Sequence, residues 1–105
     1  MIYGERVLII DTADSTVTTV GLKIDGKIHW LKEKTGDLKS QNLLPLIDKI
    51  LKKYKIDLRD LTGIKVNTGP GSFTGLRVGA AVANALGWVL KIPVNGKEMV
   101  EPKYD

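Results

Sequence analysis

A glycine-rich segment, residues 69–79, constrains the fold of this chain more than any other stretch. It reads Gly-Pro-Gly-Ser-Phe-Thr-Gly-Leu-Arg-Val-Gly and joins a buried-strand pattern over residues 61–68 to an almost uncharged helical pattern. Glycine between a strand and a helix permits positive φ or close backbone approach. The first turn of a helix also leaves unpaired N–H groups at the positive end of its dipole. The segment therefore suits either a bound anion or close packing against another element.

This segment fails two familiar phosphate-binding motifs. A P-loop needs four residues between its glycines and then Gly-Lys-Ser/Thr, whereas Gly71 and Gly75 enclose three residues and Leu76-Arg77 follows. The dinucleotide fingerprint fails because its third glycine would come one residue late. The residues alone therefore favour a turn that shapes the chain over a turn that binds phosphate.

Hydrophobic periodicity along the chain predicts an α/β layer with the element order βββαβαβ, a mixed sheet and two helices. Asp25-Gly26 predicts a tight hairpin between the second and third strands. Each strand–helix–strand connection implies a parallel neighbour, and Pro93 places the last strand at an edge. The predicted elements are, in order, strands over residues 6–11, 16–24 and 27–34, a helix over 38–55, a capped turn at 57–60, a strand over 61–68, a helix over 73–90 and a strand over 91–94.

Composition excludes several kinds of site. The chain has 105 residues, which indicates one domain, and it has no cysteine, so disulfides, a thiol nucleophile and a cysteine zinc site are excluded. Its single histidine, His29, cannot supply a His-rich metal site and is expected to be exposed. No catalytic residues, metal ligands or cofactor are predicted. The longest uncharged run has 13 residues, fewer than the roughly 20 that span a bilayer, so no membrane segment is predicted.

The net charge of +4 permits contact with nucleic acid without arguing for it. Lysines crowd the end of the first helix, where Tyr54 is the one aromatic residue among them. A solvated helix face explains this cluster, so direct contact with nucleic acid is not expected.

Small residues recur at every fourth position of the second helix, from Gly75 to Gly87. Glycine inside a helix costs ~1 kcal/mol relative to alanine and so needs a packing reason. A helix that is apolar all round is covered all round. One side faces the sheet, and the first helix, a second lobe or another protein covers the other. We predict a partner surface formed by Leu43, Ile47, Ile50, Phe73, Gly75, Leu76, Arg77, Gly79, Ala83 and Trp88; the alternative is that the two helices cover each other.

The full string of residues 69–79 resembles the GPGSFTG(L/V)R(V/I)G signature of the TsaB (YeaZ) family, in the Gcp-like group of the actin-like ATPase superfamily. Residues 7–13 resemble the family's opening LAIDTA strand, and residues 40–47 resemble its (H)(S/T)xxLLPxI helix. The chain departs from the family at Lys39, where many members have histidine. Members are also about twice as long and have a second lobe. The resemblance therefore implies an N-terminal lobe of ribonuclease H-like fold over residues 1–95, followed by a polar tail over residues 96–105.

The resemblance implies that this chain is a cytoplasmic, non-catalytic partner of a TsaD-type subunit. Together with the ATPase TsaE, that subunit transfers a threonylcarbamoyl group to the adenosine beside the tRNA anticodon. The implied contribution of this chain is a helix-lined dimer surface, without direct tRNA contact.

The sequence permits two alternatives to this accessory role. An actin-like nucleotide-binding domain would place Asp11 near the Mg²⁺ and phosphates of ATP, with Thr12, Gly71 and Ser72 lining the phosphates. The opposing interpretation is that Asp11 has a structural role in its turn. The second alternative is a self-associating homodimer without a catalytic partner.

Overall fold

The computed structural model describes residues 4–34 and 39–97 and contains a four-stranded mixed sheet with two helices. The strand order is β3-β2-β1-β4, with β1 antiparallel to β2 and parallel to β4. This arrangement confirms the predicted α/β fold. The elements are β1 (Arg6–Asp11), β2 (Val17–Ile24), β3 (Lys27–Lys34), α1 (Lys39–Lys53), a 3₁₀ turn (Leu58–Asp60), β4 (Gly63–Val66) and α2 (Phe73–Leu90). Residues 98–105 of the predicted tail lie outside the described residues.

The hairpin between β2 and β3 forms as the sequence predicts. Asp25 and Gly26 have φ angles of 49° and 87°, the positive values that a type I′ turn requires at both central positions. The turn sets the register in which Ile24 lies opposite Lys27. That register places His29 and Leu31 on the face that the helices cover. His29 is half-buried and stacks on Tyr54 with a ring separation of 4.2 Å, so the prediction that it is exposed is wrong.

Both helices pack on one face of the sheet, and alternate strand residues form the core there. On β1, Leu8 and Ile10 are fully buried, whereas Val7 and Ile9 point to the other face and are half-buried. An uninterrupted apolar strand favours burial on both faces, but among the described residues α1 and α2 cover only one of them. The buried side chains that meet between sheet and helices include Leu8, Ile10, Val20, Leu22, Ile64 and Val66 from strands and Leu43, Ile47, Ile50, Leu76 and Ala83 from helices.

The predicted last strand over residues 91–94 is absent, and a single bridge between Val94 and Ile64 stands in its place. Lys91 ends α2 in the left-handed conformation, with a φ of 58°. Asn95 also has a positive φ, of 51°, and turns the chain away from β4 after Val94. The Asn95 side chain accepts from Val66 N at 2.9 Å and donates to Val66 O at 3.0 Å. The chain therefore leaves the sheet before a strand can form.

Candidate functional site

The glycine turn lies where the carboxyl ends of the parallel strands β1 and β4 meet. Asp11 Oδ1 accepts hydrogen bonds from Ala13 N at 3.1 Å and from Asn67 Nδ2 at 3.2 Å. The Asn67 side-chain oxygen in turn accepts from Gly69 N at 3.0 Å. The carboxylate of Asp11 therefore ties the turn after β1 to the turn after β4.

Two of the glycines in this turn have a structural reason, a positive φ at one and close backbone approach at the other. Gly69 has a φ of 118°, a value that disfavours any other residue. A Cβ at Gly71 would lie 2.6 Å from the Cβ of Ala13 and 2.9 Å from its carbonyl oxygen. The Ala13 oxygen accepts a hydrogen bond from Ser72 N at 2.8 Å. Glycine is needed at Gly71 because the two turns are in direct contact.

The start of α2 is fixed by two hydroxyl groups. Ser72 is the N-cap, and its Oγ accepts from Gly75 N at 3.2 Å, which satisfies one of the unpaired donors of the first turn. Thr12 is fully buried, and its hydroxyl donates to the Gly75 carbonyl at 2.5 Å. The end of β1 is therefore joined directly to the first turn of α2.

The fold does bring together all four residues of the nucleotide-binding alternative, Asp11, Thr12, Gly71 and Ser72. The side chains of Asp11, Thr12 and Ser72 already form hydrogen bonds within the protein. Thr12 is buried and donates to the Gly75 carbonyl, Ser72 caps α2, and Asp11 accepts from Ala13 N in the turn after β1. This geometry favours the structural interpretation of Asp11. Over residues 4–34 and 39–97, no group of three or more His, Cys, Asp or Glu side chains is placed to hold a metal ion.

The predicted partner surface requires correction. Most of its residues are buried inside the lobe, namely Leu43, Ile47, Ile50, Gly75, Leu76, Gly79 and Ala83. The stripe of small residues on α2 faces its own sheet: a Cβ at Gly79 would lie 3.4 Å from Val66 and 3.5 Å from Ile10. Close packing of the helix on the sheet explains the stripe, so these residues are not available to a partner.

Phe73, Arg77 and Trp88 are the three predicted interface residues that are exposed. The Arg77 guanidinium lies over the Phe73 ring, 5.3 Å from its centre. Trp88 is 80% exposed, an unusual state for the largest apolar side chain.

These three residues belong to what we call the outer face of α2, which consists of Phe73, Arg77, Ala81, Ala85, Trp88 and Val89, all exposed. Sequence analysis missed Ala81, Ala85 and Val89. The signal was present, because positions 73, 77, 81, 85 and 89 repeat every four residues on the opposite side of the helix from the glycines.

By length and composition, α2 also qualifies as a membrane span. The core helix of a compact domain meets the same criteria. Packing of the small-residue stripe on the sheet and the apolar outer face together account for the composition of this helix.

Shifted pKa values occur away from both the glycine turn and the outer face. Hydrogen bonds from the Arg59 side chain and backbone lower the pKa of Asp57, which caps the 3₁₀ turn. A hydrogen bond to Asp48 raises the pKa of Lys52 on α1, and the two side chains lie 2.9 Å apart. Both pairs are exposed, as expected of surface charges rather than of a reactive centre.

Comparison with known proteins places this fold in a family. The family model described as "TsaD: tRNA N6-adenosine threonylcarbamoyltransferase" matches residues 33–98. The tRNA threonylcarbamoyladenosine biosynthesis protein TsaB of Escherichia coli K12 is 34% identical over 91 residues, which cover 87% of this chain and 39% of that protein. The tRNA N6-adenosine threonylcarbamoyltransferase of Nitrosospira multiformis is 48% identical over 61 residues, 58% of this chain and 18% of the relative.

A solved structure agrees. YeaZ from Pseudomonas aeruginosa superposes with a TM-score of 0.81 at 30% identity, covering 86% of this chain and 42% of that one. The chain spans less than half the length of the TsaB proteins and YeaZ structures that it matches. Together with the signature at residues 69–79, these matches show that the chain belongs to the TsaD family, within which it is similar to the N-terminal lobe of TsaB (YeaZ) proteins.

Proposed function

We propose that this chain acts in tRNA threonylcarbamoyladenosine biosynthesis as a non-catalytic subunit that binds a TsaD-type threonylcarbamoyltransferase. The observation that carries the proposal is the outer face of α2, where Trp88 is 80% and Phe73 55% exposed. A TsaE-type ATPase and the tRNA substrate would join through the catalytic subunit.

The composition of the outer face fits a protein interface. Aromatic residues and arginine are enriched in such interfaces, and lysine is depleted. Ala81 and Ala85 at the middle of the face leave room for a second helix to approach, and the aromatic groups at its two ends can supply most of the binding energy.

The apolar area extends beyond α2. A groove between α1, the 3₁₀ turn and α2 is lined by Leu44, Leu51, Ile56, Leu58 and Leu86, among others. Leu44 is 53% exposed at its edge. A partner helix on the outer face would therefore find a second apolar contact beside it.

The glycine turn supports an accessory role over a catalytic one. Its hydroxyl and carboxylate groups hold β1, β4 and α2 together, so the chain offers no poised nucleophile or base at this position. The chemistry would then reside in the partner.

Light scattering on a sizing column, with and without the TsaD-type protein of the same organism, tests the proposal. We expect a complex with one copy of each chain, and Trp88→Ala should weaken it by roughly thirtyfold or more because a buried interface tryptophan contributes about 2 kcal/mol or more. Trp30→Ala is the matched control, since Trp30 lies on the opposite side of the sheet. Absence of a complex, or equal losses in the two variants, would contradict the proposal.

A homodimer through the same face is the second candidate, and one observation favours it. The two exposed aromatic residues, Phe73 and Trp88, lie about four turns apart on the same side of α2. Two antiparallel α2 helices crossing near Ala81 would pair Phe73 of each copy with Trp88 of the other, the reciprocal contact that an isologous interface requires. A concentration-dependent dimer that Trp88→Ala dissociates, and that the TsaD-type protein does not disrupt, would support this candidate over the first.

A further inference from the structure

The face of the sheet that points away from both helices has an unusual composition. We call it the open face, and the register of the strands defines its members as Val7, Ile9, Asp11, Val17, Thr19, Gly21, Lys23, Ile28, Trp30, Lys32, Lys34, Gly63 and Lys65. Within the described ranges, neither helix packs on this side. The centre of the open face is apolar, and lysines surround it.

Trp30 lies on the edge strand β3 and covers Gly21 of the neighbouring strand β2. Two atoms of its ring lie 2.8 Å from the position that a Cβ of Gly21 would occupy, so the indole lies across the glycine and reaches towards Ile9. The side chain is still 51% exposed. The side chain of Trp30 therefore packs on the sheet and still leaves about half of its surface open to a ligand.

Four lysines share this face with Trp30, namely Lys23, Lys32, Lys34 and Lys65. One row across the sheet runs from Lys65 through Ile9 and Gly21 to Trp30, with about 4.8 Å between strands. Lys32 follows Trp30 on the same face at about 6.8 Å along β3, and Lys34 follows at the same interval.

The positive charge of the open face is largely unneutralised. Lys23 lies 3.4 Å from Glu5. In the part of the chain that the structure describes, Lys32, Lys34 and Lys65 form no ion pair. The acidic residue at the edge of this face, Asp11, is held in the glycine turn.

We propose that the open face binds single-stranded nucleic acid, with a base stacked on Trp30 and phosphates contacting Lys32, Lys34 and Lys65. Aromatic side chains set among basic residues are the recurring surface for such ligands, because every base has a stackable face and every phosphate a charge. A protein partner would instead favour a surface depleted of lysine.

The lysines of α1 were predicted to form a solvated face without nucleic acid contact, and Tyr54, the aromatic residue beside Lys53, is half-buried and stacked on His29. Strand pairing places an exposed aromatic side chain beside a different set of lysines, because Lys32 follows Trp30 on β3 and Lys23 lies on the neighbouring strand β2. Lys65 shares the same face on the opposite edge strand, about 14 Å across the sheet. This inference does not depend on the association proposed for α2.

Fluorescence titration of the whole chain with a labelled single-stranded RNA oligonucleotide tests it. In a Trp88→Phe background Trp30 is the remaining tryptophan, and we expect saturating RNA to quench it. Affinity should fall about tenfold or more in Trp30→Leu and in the double variant Lys32→Glu/Lys34→Glu, and it should weaken steeply between about 50 and 200 mM salt. The control is Lys49→Glu/Lys53→Glu on α1, which changes the net charge equally and should cost less than about threefold.

Four results would overturn the proposal: no binding at low salt, unquenched Trp30 at saturation, equal losses in the two lysine pairs, or a Trp30→Leu variant whose main effect is on the oligomeric state. The last would identify the open face as a protein interface. Failure of the TsaD-type complex leaves these readouts unchanged, and Trp88 variants should retain RNA binding, so the two proposals fail separately.

Discussion

Gly79 lies directly against the hydroxyl of Thr12, so closely that a Cβ at this position would overlap the Thr12 oxygen. That hydroxyl is itself fully buried and bonded to the Gly75 carbonyl. The first strand and the second helix are therefore fitted to each other at a single residue pair, and the fit can be tested.

Gly79→Ala should destabilise the lobe although alanine is the better helix former. Overpacking costs about 1–3 kcal/mol and the propensity gain is about 1 kcal/mol, so we expect the free energy of unfolding to fall by up to about 2 kcal/mol in urea titrations. In a Thr12→Ala background the same substitution should cost less, because the overlapping oxygen is gone. An equal cost in both backgrounds would show that Thr12 is not the obstacle.

Asp11→Ala should act on stability. Loss of the hydrogen bonds to Ala13 and Asn67 should lower the free energy of unfolding by about 1–2 kcal/mol, since charge-assisted bonds are strong but this site is only half-buried. Asn67→Ala removes one of the same bonds, so the double variant should lose less than the sum. A melting temperature that Mg-ATP raises in the parent chain and not in Asp11→Ala would instead support the nucleotide-binding alternative.

Ser72→Ala should destabilise α2 at its first turn. The Ser72 hydroxyl accepts from Gly75 N, and loss of such a cap costs about 0.5–2 kcal/mol. Thr74→Ala is the neighbouring control, because Thr74 is exposed and lies past the cap. Chemical denaturation should separate the two variants, and comparable losses would argue against Ser72 as the stabilising residue.

The Asp57–Arg59 pair should contribute stability only where Asp57 is ionised. Its folded-state pKa is lowered from 3.8, so its contribution is present above that value and is lost as the pH falls through the lower, folded pKa. Asp57→Asn should therefore melt slightly below the parent chain at pH 7 and at the same temperature at about pH 2. Because the pair is exposed, salt should reduce the difference at pH 7. A difference that persists in acid would point to capping by Asp57 rather than to its charge.

Periodicity and turn chemistry predicted most of the fold. The bounds of α2 follow from Ser72, a strong N-cap, and from the long apolar run behind it, and Asp25-Gly26 fixed the hairpin. The prediction of the last strand was wrong because Lys91 takes the left-handed conformation that ends α2, with its N–H bonded to Gly87 O. Asn95, which also has a positive φ, is held by the backbone of Val66 on β4, a contact that local preference does not reveal.

The functional surfaces were harder to predict. On α2, residues at every fourth position form two opposite stripes, one from Gly75 to Gly87 and one from Phe73 to Val89. Sequence periodicity cannot say which of the two packs on the sheet. The structure shows that glycine occupies the stripe where Cβ atoms would clash, whereas alanine at Ala81 and Ala85 occupies the open one. The open face was missed for a different reason, because only the strand register shows that Trp30 and Lys65, which lie on opposite edge strands, share one face of the sheet.

The paired hydrogen bonds between the Asn95 amide and the Val66 backbone have a consequence for assembly. An amide side chain in this position imitates the peptide group of an additional strand and occupies the free edge of β4. A foreign strand could add there only by displacing Asn95. Intermolecular sheet growth, the first step towards strand exchange or fibrils, is therefore directed to β3, where Lys27, Lys32 and Lys34 discourage it by charge repulsion.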